Sequence, residues 1–355
     1  MRRALTAVVL LAAAAGAALV RPDLPLAAVR ARYAPVPPSR FVRVLGMDVH
    51  YRDEGPRGAP VVLLLHGMNG SLHTWDGWAA RLADSLRVVR LDLPGYGVTG
   101  PAPDGDYRVA AYVRTVAAVL DALGIARASV AGHSFGGEIA WRFALARPAR
   151  VDRLVLVDPS GYWAGGAPGG SAMLARPAVR RALALVGPRW LFASSLRQAY
   201  GVPARIAPGV VDRYWALARR PGNRDALLRR SATADPFPFD AIRGVRAPVL
   251  LMWGGRDRWI PPAAAAQFRA RLPGAALRVY PDAGHVAMEE LPGPTAADAR
   301  QFLLAPPAPS AGPRAGPGAT GAAGRSLDFG HVGAPAAARQ PTALGHPRGS
   351  RAGTG

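Results

Sequence analysis

The sequence predicts an α/β protein: a mostly parallel, doubly wound sheet covered by helices on both faces, with a helical lid inserted before the last strands. Three observations carry this. Apolar strand-like runs alternate with helical patterns from residue 61 to 157, a regular βαβαβ order. Strand texture stops near residue 160 and returns at Pro248-Val249-Leu250-Leu251-Met252-Trp253. Between these points lie Gly, Pro and Arg with irregular helical pieces and large aromatics (Trp163, Trp190, Phe192, Tyr200, Trp215).

The elements follow in order. Phe41 to Val44 and Met47 to Tyr51 alternate with period two around Gly46, which marks a hairpin. Val61 to Leu65 is a continuous apolar run, as a strand buried on both faces requires. Trp75 to Asp84 reads as helix, Leu86 to Leu91 as strand, and Tyr107 to Leu123 as an amphipathic helix stopped by Gly124. Ala128 to Gly132 is strand, Phe135 to Arg147 helix and Val151 to Val157 strand. After the insertion come the strand ending at Trp253, a helix from Pro262 to Arg271, a strand from Leu277 to Tyr280 and a last helix over Thr295 to Leu304. The domain therefore comprises 41–159 and 241–305, with 160–240 as the lid.

The flanks are different. Met1-Arg2-Arg3 precedes an apolar run from Ala4 to Val20, which reads as a signal peptide or an N-terminal membrane anchor within 1–24. Arg2 and Arg3 would stay cytoplasmic and send the rest outward, so the expected location is the cell envelope, exported or anchored, on the periplasmic or extracellular side. Residues 25–40 are Pro-rich and read as a linker. Residues 306–355 hold Ala, Gly, Pro and Arg with few large apolar side chains; such a tail cannot bury enough surface to order itself.

Composition prunes the chemistry. The 355 residues include no cysteine, which excludes thiol nucleophiles, Cys-ligated zinc, iron–sulfur clusters and disulfides. They include no lysine, which excludes Schiff bases and a P-loop. The net charge of +21 does not point to nucleic acid, because the arginines are scattered rather than grouped with aromatics. A solvated basic surface attracted to anionic membranes fits better. Arg219, Arg220, Arg224, Arg229 and Arg230 in the lid read as such a solvated face, with docking on anionic lipid as the alternative.

Gly132-His133-Ser134-Phe135-Gly136 is a G-x-S-x-G motif between a strand and a helix. A turn this tight strains the serine and needs small neighbours; it lifts the hydroxyl clear of the sheet at a helix N-terminus. His66-Gly67-Met68 follows the strand Val61 to Leu65, where the N–H of Met68 can converge with that of Phe135 on one oxygen. His66 itself reads as a ring that closes the turn by hydrogen bonds. Asp257 and His285 follow consecutive strands and so share one sheet edge with Ser134, in the chain order Ser, Asp, His. A serine needs a base to take its proton, and the base needs a carboxylate to fix its tautomer. Asp158, after the strand that precedes the lid, is the other candidate acid; Asp257 is preferred and Asp158 read as a turn or cap residue. Asp92, with Pro-Gly neighbours, reads as a loop holder.

These motifs resemble the α/β-hydrolase superfamily. The matching residues are His66-Gly67, Asp92-Leu93-Pro94-Gly95-Tyr96-Gly97, Gly132 to Gly137, Gly254-Gly255-Arg256-Asp257 and Asp282-Ala283-Gly284-His285, over residues 41 to 305. Leu156 to Tyr162, entering the lid, is similar to membrane-associated bacterial lipases and esterases. The resemblance implies a triad of Ser134, Asp257 and His285, with Met68 and Phe135 as oxyanion donors and neither metal nor organic cofactor. Serine at the elbow, where dehalogenases and epoxide hydrolases carry aspartate, implies attack on a carbonyl and an acyl-enzyme. The apolar lid suggests a hydrophobic ester as substrate. Carbon–carbon or other acyl hydrolysis is the alternative, and a non-catalytic binding protein the third reading.

Overall fold

The apolar runs become the buried strands of one eight-stranded sheet, seen in a computed structural model that describes Gly16 and residues 19–162, 172–235 and 238–306. The strands are β1 (Arg40–Val44), β2 (Met47–Glu54), β3 (Val61–Leu65), β4 (Arg87–Leu91), β5 (Ala128–His133), β6 (Val151–Val157), β7 (Val249–Gly254) and β8 (Ala276–Tyr280), in the order β1-β2-β4-β3-β5-β6-β7-β8. The hairpin β1–β2 and the pair β2–β4 are antiparallel; every other pairing is parallel. The strands from β3 to β7 thus point their carboxyl ends the same way, which puts the loops after them on one edge.

Strand periodicity divides the core in two. Leu63 and Leu65 face the helices Val109–Ala122 and Phe135–Ala146, while Val62 and Leu64 face Trp75, Trp78 and the C-terminal helix Pro292–Leu304. All four side chains are fully buried, each adding about 1.5–3 kcal/mol relative to exposure. Between β6 and β7 the described residues form the helices Ala172–Ala175, Pro177–Leu185, Arg189–Ala199, Val210–Ala218 and Asn223–Ala232. Among the described residues no helix is long and apolar enough to cross a membrane. The apolar run Ala4–Val20 lies largely outside the described residues, as does the tail from 307 onward.

Residues 25–40, expected as a linker, are not one. Leu26–Tyr33 is a helix that buries Val29 and Tyr33 against Val98, Ala216 and Leu217. Val29 and Tyr33 are four residues apart and so share one helical face, a signal the surrounding prolines obscure. The segment before it is tied to the lid: Leu24 N–H donates to Arg219 O (2.8 Å), and Arg219 Nε to Pro22 O (2.9 Å).

Among the lid arginines Arg220, Arg224 and Arg230 are likewise not part of a solvated face, whereas Arg229 is exposed. Arg224 is 8% exposed and donates to Asp23 (2.7 Å); Arg220 donates to Thr99 O (3.1 Å); Arg229 pairs with Asp225 (2.6 Å). Arg230 stacks over Phe135 with its guanidinium carbon 4.8 Å from the ring centre.

Candidate active site

Ser134 stands between β5 and its helix with φ 51° and ψ −117°, a conformation that costs a non-glycine residue about 1–3 kcal/mol. The backbone around it is pinned: Ser134 N–H donates to Val157 O, and Ser134 O accepts from Ser160 and Glu138 N–H (3.0–3.1 Å). The flanking glycines are required by space. A Cβ on Gly132 would lie 2.2 Å from Gly136 O, and one on Gly136 2.3 Å from Leu65 O.

Asp257 follows β7 and His285 follows β8. His285 Nδ1 donates to Asp257 Oδ2 (2.7 Å), while Asp257 Oδ1 accepts from the N–H groups of Trp259 (2.8 Å) and Ile260 (2.9 Å). Both side chains are buried. With Nδ1 engaged, the other ring nitrogen of His285 is left for chemistry. Ser134, His285, Met68 and Phe135 all line one cavity of about 350 Å³. Phe135 opens its helix, so its N–H has no acceptor within that helix. A second, mainly apolar cavity of about 380 Å³ shares the wall residues Asn69, Gly70, Phe192, Ser195 and Leu227 with the first, and extends under the lid past Leu183 and Leu217.

The other residues singled out in the sequence fall around this centre. His66 is fully buried; Leu93 N–H donates to its Nε2 (3.0 Å), so Nδ1 carries the hydrogen given to Gly67 O (2.8 Å). Burial holds its pKa below the usual histidine range, which suits a neutral turn-closing ring. Asp92 accepts from Leu72 N, Val98 N and His50 Nδ1, each at 2.7 Å. Burial alone would raise the Asp92 pKa, but the His50 ring and its hydrogen bond outweigh this and hold the carboxyl well below the carboxylate range. Asp158 is buried at the end of β6 and accepts from Gly254 N–H (2.8 Å), so it caps β7 rather than its own turn. Burial first, and then the charge of Asp257, pushes its carboxyl well above the usual range.

Three residues passed over in the sequence also build the site. His133 Nε2 donates to the backbone carbonyl of His285 (2.7 Å), and burial keeps that ring neutral. Trp259 lies beside the His285 ring with centroids 5.0 Å apart. Glu290 accepts from Gly284 N (2.8 Å) on the histidine loop and from Gly201 N (2.9 Å) and Val202 N (2.8 Å) after the lid helix Arg189–Ala199. His285 N–H itself donates to Ala199 O (2.6 Å), so the histidine loop and the lid are joined through backbone. His133 sat inside the serine motif and was legible by position; Glu290 reaches partners 88 and 89 residues away, which no local pattern reveals.

Comparison with known proteins agrees with this architecture. A family model described as the alpha/beta hydrolase fold matches residues 60–292. The dihydrolipoyllysine-residue acetyltransferase component of the acetoin cleaving system of Cupriavidus necator is 33% identical over 71% of this chain, which spans 65% of that protein's length. A 2-hydroxy-6-oxononadienedioate/2-hydroxy-6-oxononatrienedioate hydrolase of Burkholderia vietnamiensis is 31% identical over 71% of this chain and 91% of its own. Among solved structures, a membrane phospholipase A described as a bacterial virulence factor superposes with a TM-score of 0.64 at 28% identity, covering 85% of this chain and 98% of its own. The chain belongs to the α/β-hydrolase family.

Proposed function

We propose that the protein is a serine hydrolase that cleaves carboxylic esters of hydrophobic molecules through an acyl-enzyme. The observation that carries this is the Asp257–His285 hydrogen bond of 2.7 Å, with His285 lining the same cavity as a strained Ser134. Ser134 Oγ attacks the carbonyl carbon and passes its proton to His285 Nε2, while Asp257 stabilises the imidazolium. The negative oxygen is received by the backbone N–H groups of Met68 and Phe135, a contribution of about 3–4 kcal/mol per donor in such sites. The alcohol leaves with the proton held by His285. Water then attacks the acyl-enzyme with His285 again as base and releases the acid and free Ser134.

The second cavity supplies apolar walls for the acyl or alcohol chain. The likeness to a membrane phospholipase A extends over more of this chain than the likeness to the dienedioate hydrolases. Together with the apolar run Ala4–Val20, this supports placement at the cell envelope in contact with membrane. The dienedioate hydrolases favour a second reading, carbon–carbon bond hydrolysis by the same residues. Hydrolysis of a p-nitrophenyl ester series from short to long acyl chains, beside a dienoic diketone, separates the two. Turnover that rises with acyl length supports the ester reading; turnover of the diketone alone overturns it.

A further inference from the structure

The second carboxyl beside the triad has no role in the reaction as written. Asp158 is wholly buried and adopts φ 45°, a positive value uncommon for a non-glycine residue. Its Oδ1 accepts from Gly254 N–H (2.8 Å). Asp257 N–H donates to Gly254 O (3.1 Å), so both aspartates are tied to the peptide groups of Gly254 at the end of β7; the Asp257 carboxyl and the backbone N–H of Ala287 are the other polar groups that act on the Asp158 carboxyl. Two neighbouring carboxyl groups that are both buried cannot both carry charge, so one keeps its proton. Asp257 has three donors that favour its charged form: Trp259 N–H, Ile260 N–H and His285 Nδ1–H. Asp158 has two, the backbone N–H groups of Gly254 and Ala287. The proton therefore belongs on Asp158, and a buried carboxylic O–H needs an acceptor, which Asp257 provides.

Resting on the reading of Ser134, His285 and Asp257 as a triad, we propose that Asp158 is a positioning residue whose neutral carboxyl donates a hydrogen bond to Asp257, holding the acid that orients His285 and drawing off part of its charge. Sequence position alone made Asp158 a rival for the acid; here the two carboxyls act as a pair. A donor on Asp257 weakens its hold on the imidazolium. Removing that donor strengthens this hold, so the acidic limb of activity moves upward.

The test uses the full chain and the pH profile of kcat/KM on p-nitrophenyl butyrate. Asp158→Asn keeps an N–H for Asp257 and an oxygen for Gly254, and its profile should overlay that of the wild type. Asp158→Leu removes both, and its acidic limb should rise by about one pH unit, an approximately fivefold loss of activity at the wild-type midpoint. Any displacement of the limb in Asp158→Asn overturns the proposal, a downward one by showing that Asp158 is charged. An unmoved limb in Asp158→Leu overturns it as well. A second measurement needs neither turnover nor the leucine variant. The infrared difference between wild type and Asp158→Asn at neutral pH should contain the carbonyl band of a neutral carboxyl; its absence overturns the proposal. Wild-type protein without ester turnover would instead refute the triad reading, and the infrared band would still decide the state of Asp158.

Discussion

His133 donates its Nε2 hydrogen to the backbone carbonyl of His285 across 2.7 Å, and the two rings lie 4.8 Å apart. The residue next to Ser134, the proposed nucleophile, thus fixes the backbone of His285, the proposed base. Replacing it with alanine leaves a buried carbonyl without its donor, a loss of about 1–3 kcal/mol. We expect His133→Ala to lower kcat by roughly 10- to 100-fold with a smaller change in KM, since His133 is one of many residues lining the cavity but the side chain that holds the His285 carbonyl. Steady-state kinetics on a p-nitrophenyl ester checks the split; a change confined to KM would contradict the positioning role.

Glu290 connects the histidine loop to the lid through three backbone N–H groups. In Glu290→Gln, one acceptor oxygen becomes an NH2 that faces donors. The variant should lose about 1–3 kcal/mol of stability and lower activity together. Thermal unfolding and kinetics on the same sample measure both; full activity would mean that the lid junction does not hold His285.

Close packing at the elbow predicts a sharp contrast between two glycines. Gly136→Ala places a Cβ against Leu65 O and His66 O, backbone atoms that can move only with β3. Gly58→Ala meets nothing within 4 Å. The first substitution should cost about 1–3 kcal/mol or more and abolish turnover, and the second should leave both stability and activity unchanged. Chemical denaturation of the pair reads this directly.

Buried histidines set an acid limit on stability. Burial lowers the pKa values of His66, His73 and His133, with His73 pushed down to about 4 from an ordinary 6.5. The unfolded chain takes up these protons first. The contribution to stability is therefore complete above pH 6.5 and is lost as the pH falls toward the folded values, with a slope of about 1.4 kcal/mol per pH unit for each histidine. Urea midpoints should drop steadily between pH 6.5 and pH 4.5, less steeply in His73→Gln. A flat profile would contradict this account.

How much of this was legible in the sequence depends on the range of the contacts involved. Val61–Leu65 and Val151–Val157 carry their strand signal in their own apolar runs, and the structure places strands there. The serine motif, Asp257 and His285 could be located because loops after parallel strands share an edge, an inference that needs only the strand order. Contacts that close through the tertiary fold were not legible. The helix Leu26–Tyr33 exists because Val29 and Tyr33 find Ala216 and Leu217 in the lid, and proline-rich flanks hide that from a local reading. Arg224, Arg220 and Arg230 looked like part of a solvated face because Asp23, Thr99 and Phe135, which engage them, are about 90 to 200 residues away.

The most direct test of the central claim is covalent labelling of the full chain with a fluorophosphonate, mapped by peptide mass spectrometry. Attack by an activated serine on phosphorus displaces fluoride and leaves a stable adduct. The account predicts a single adduct on Ser134, with labelling lost in His285→Ala while that variant stays folded. A folded wild-type protein that takes no label at Ser134, or that labels equally well without His285, would contradict it.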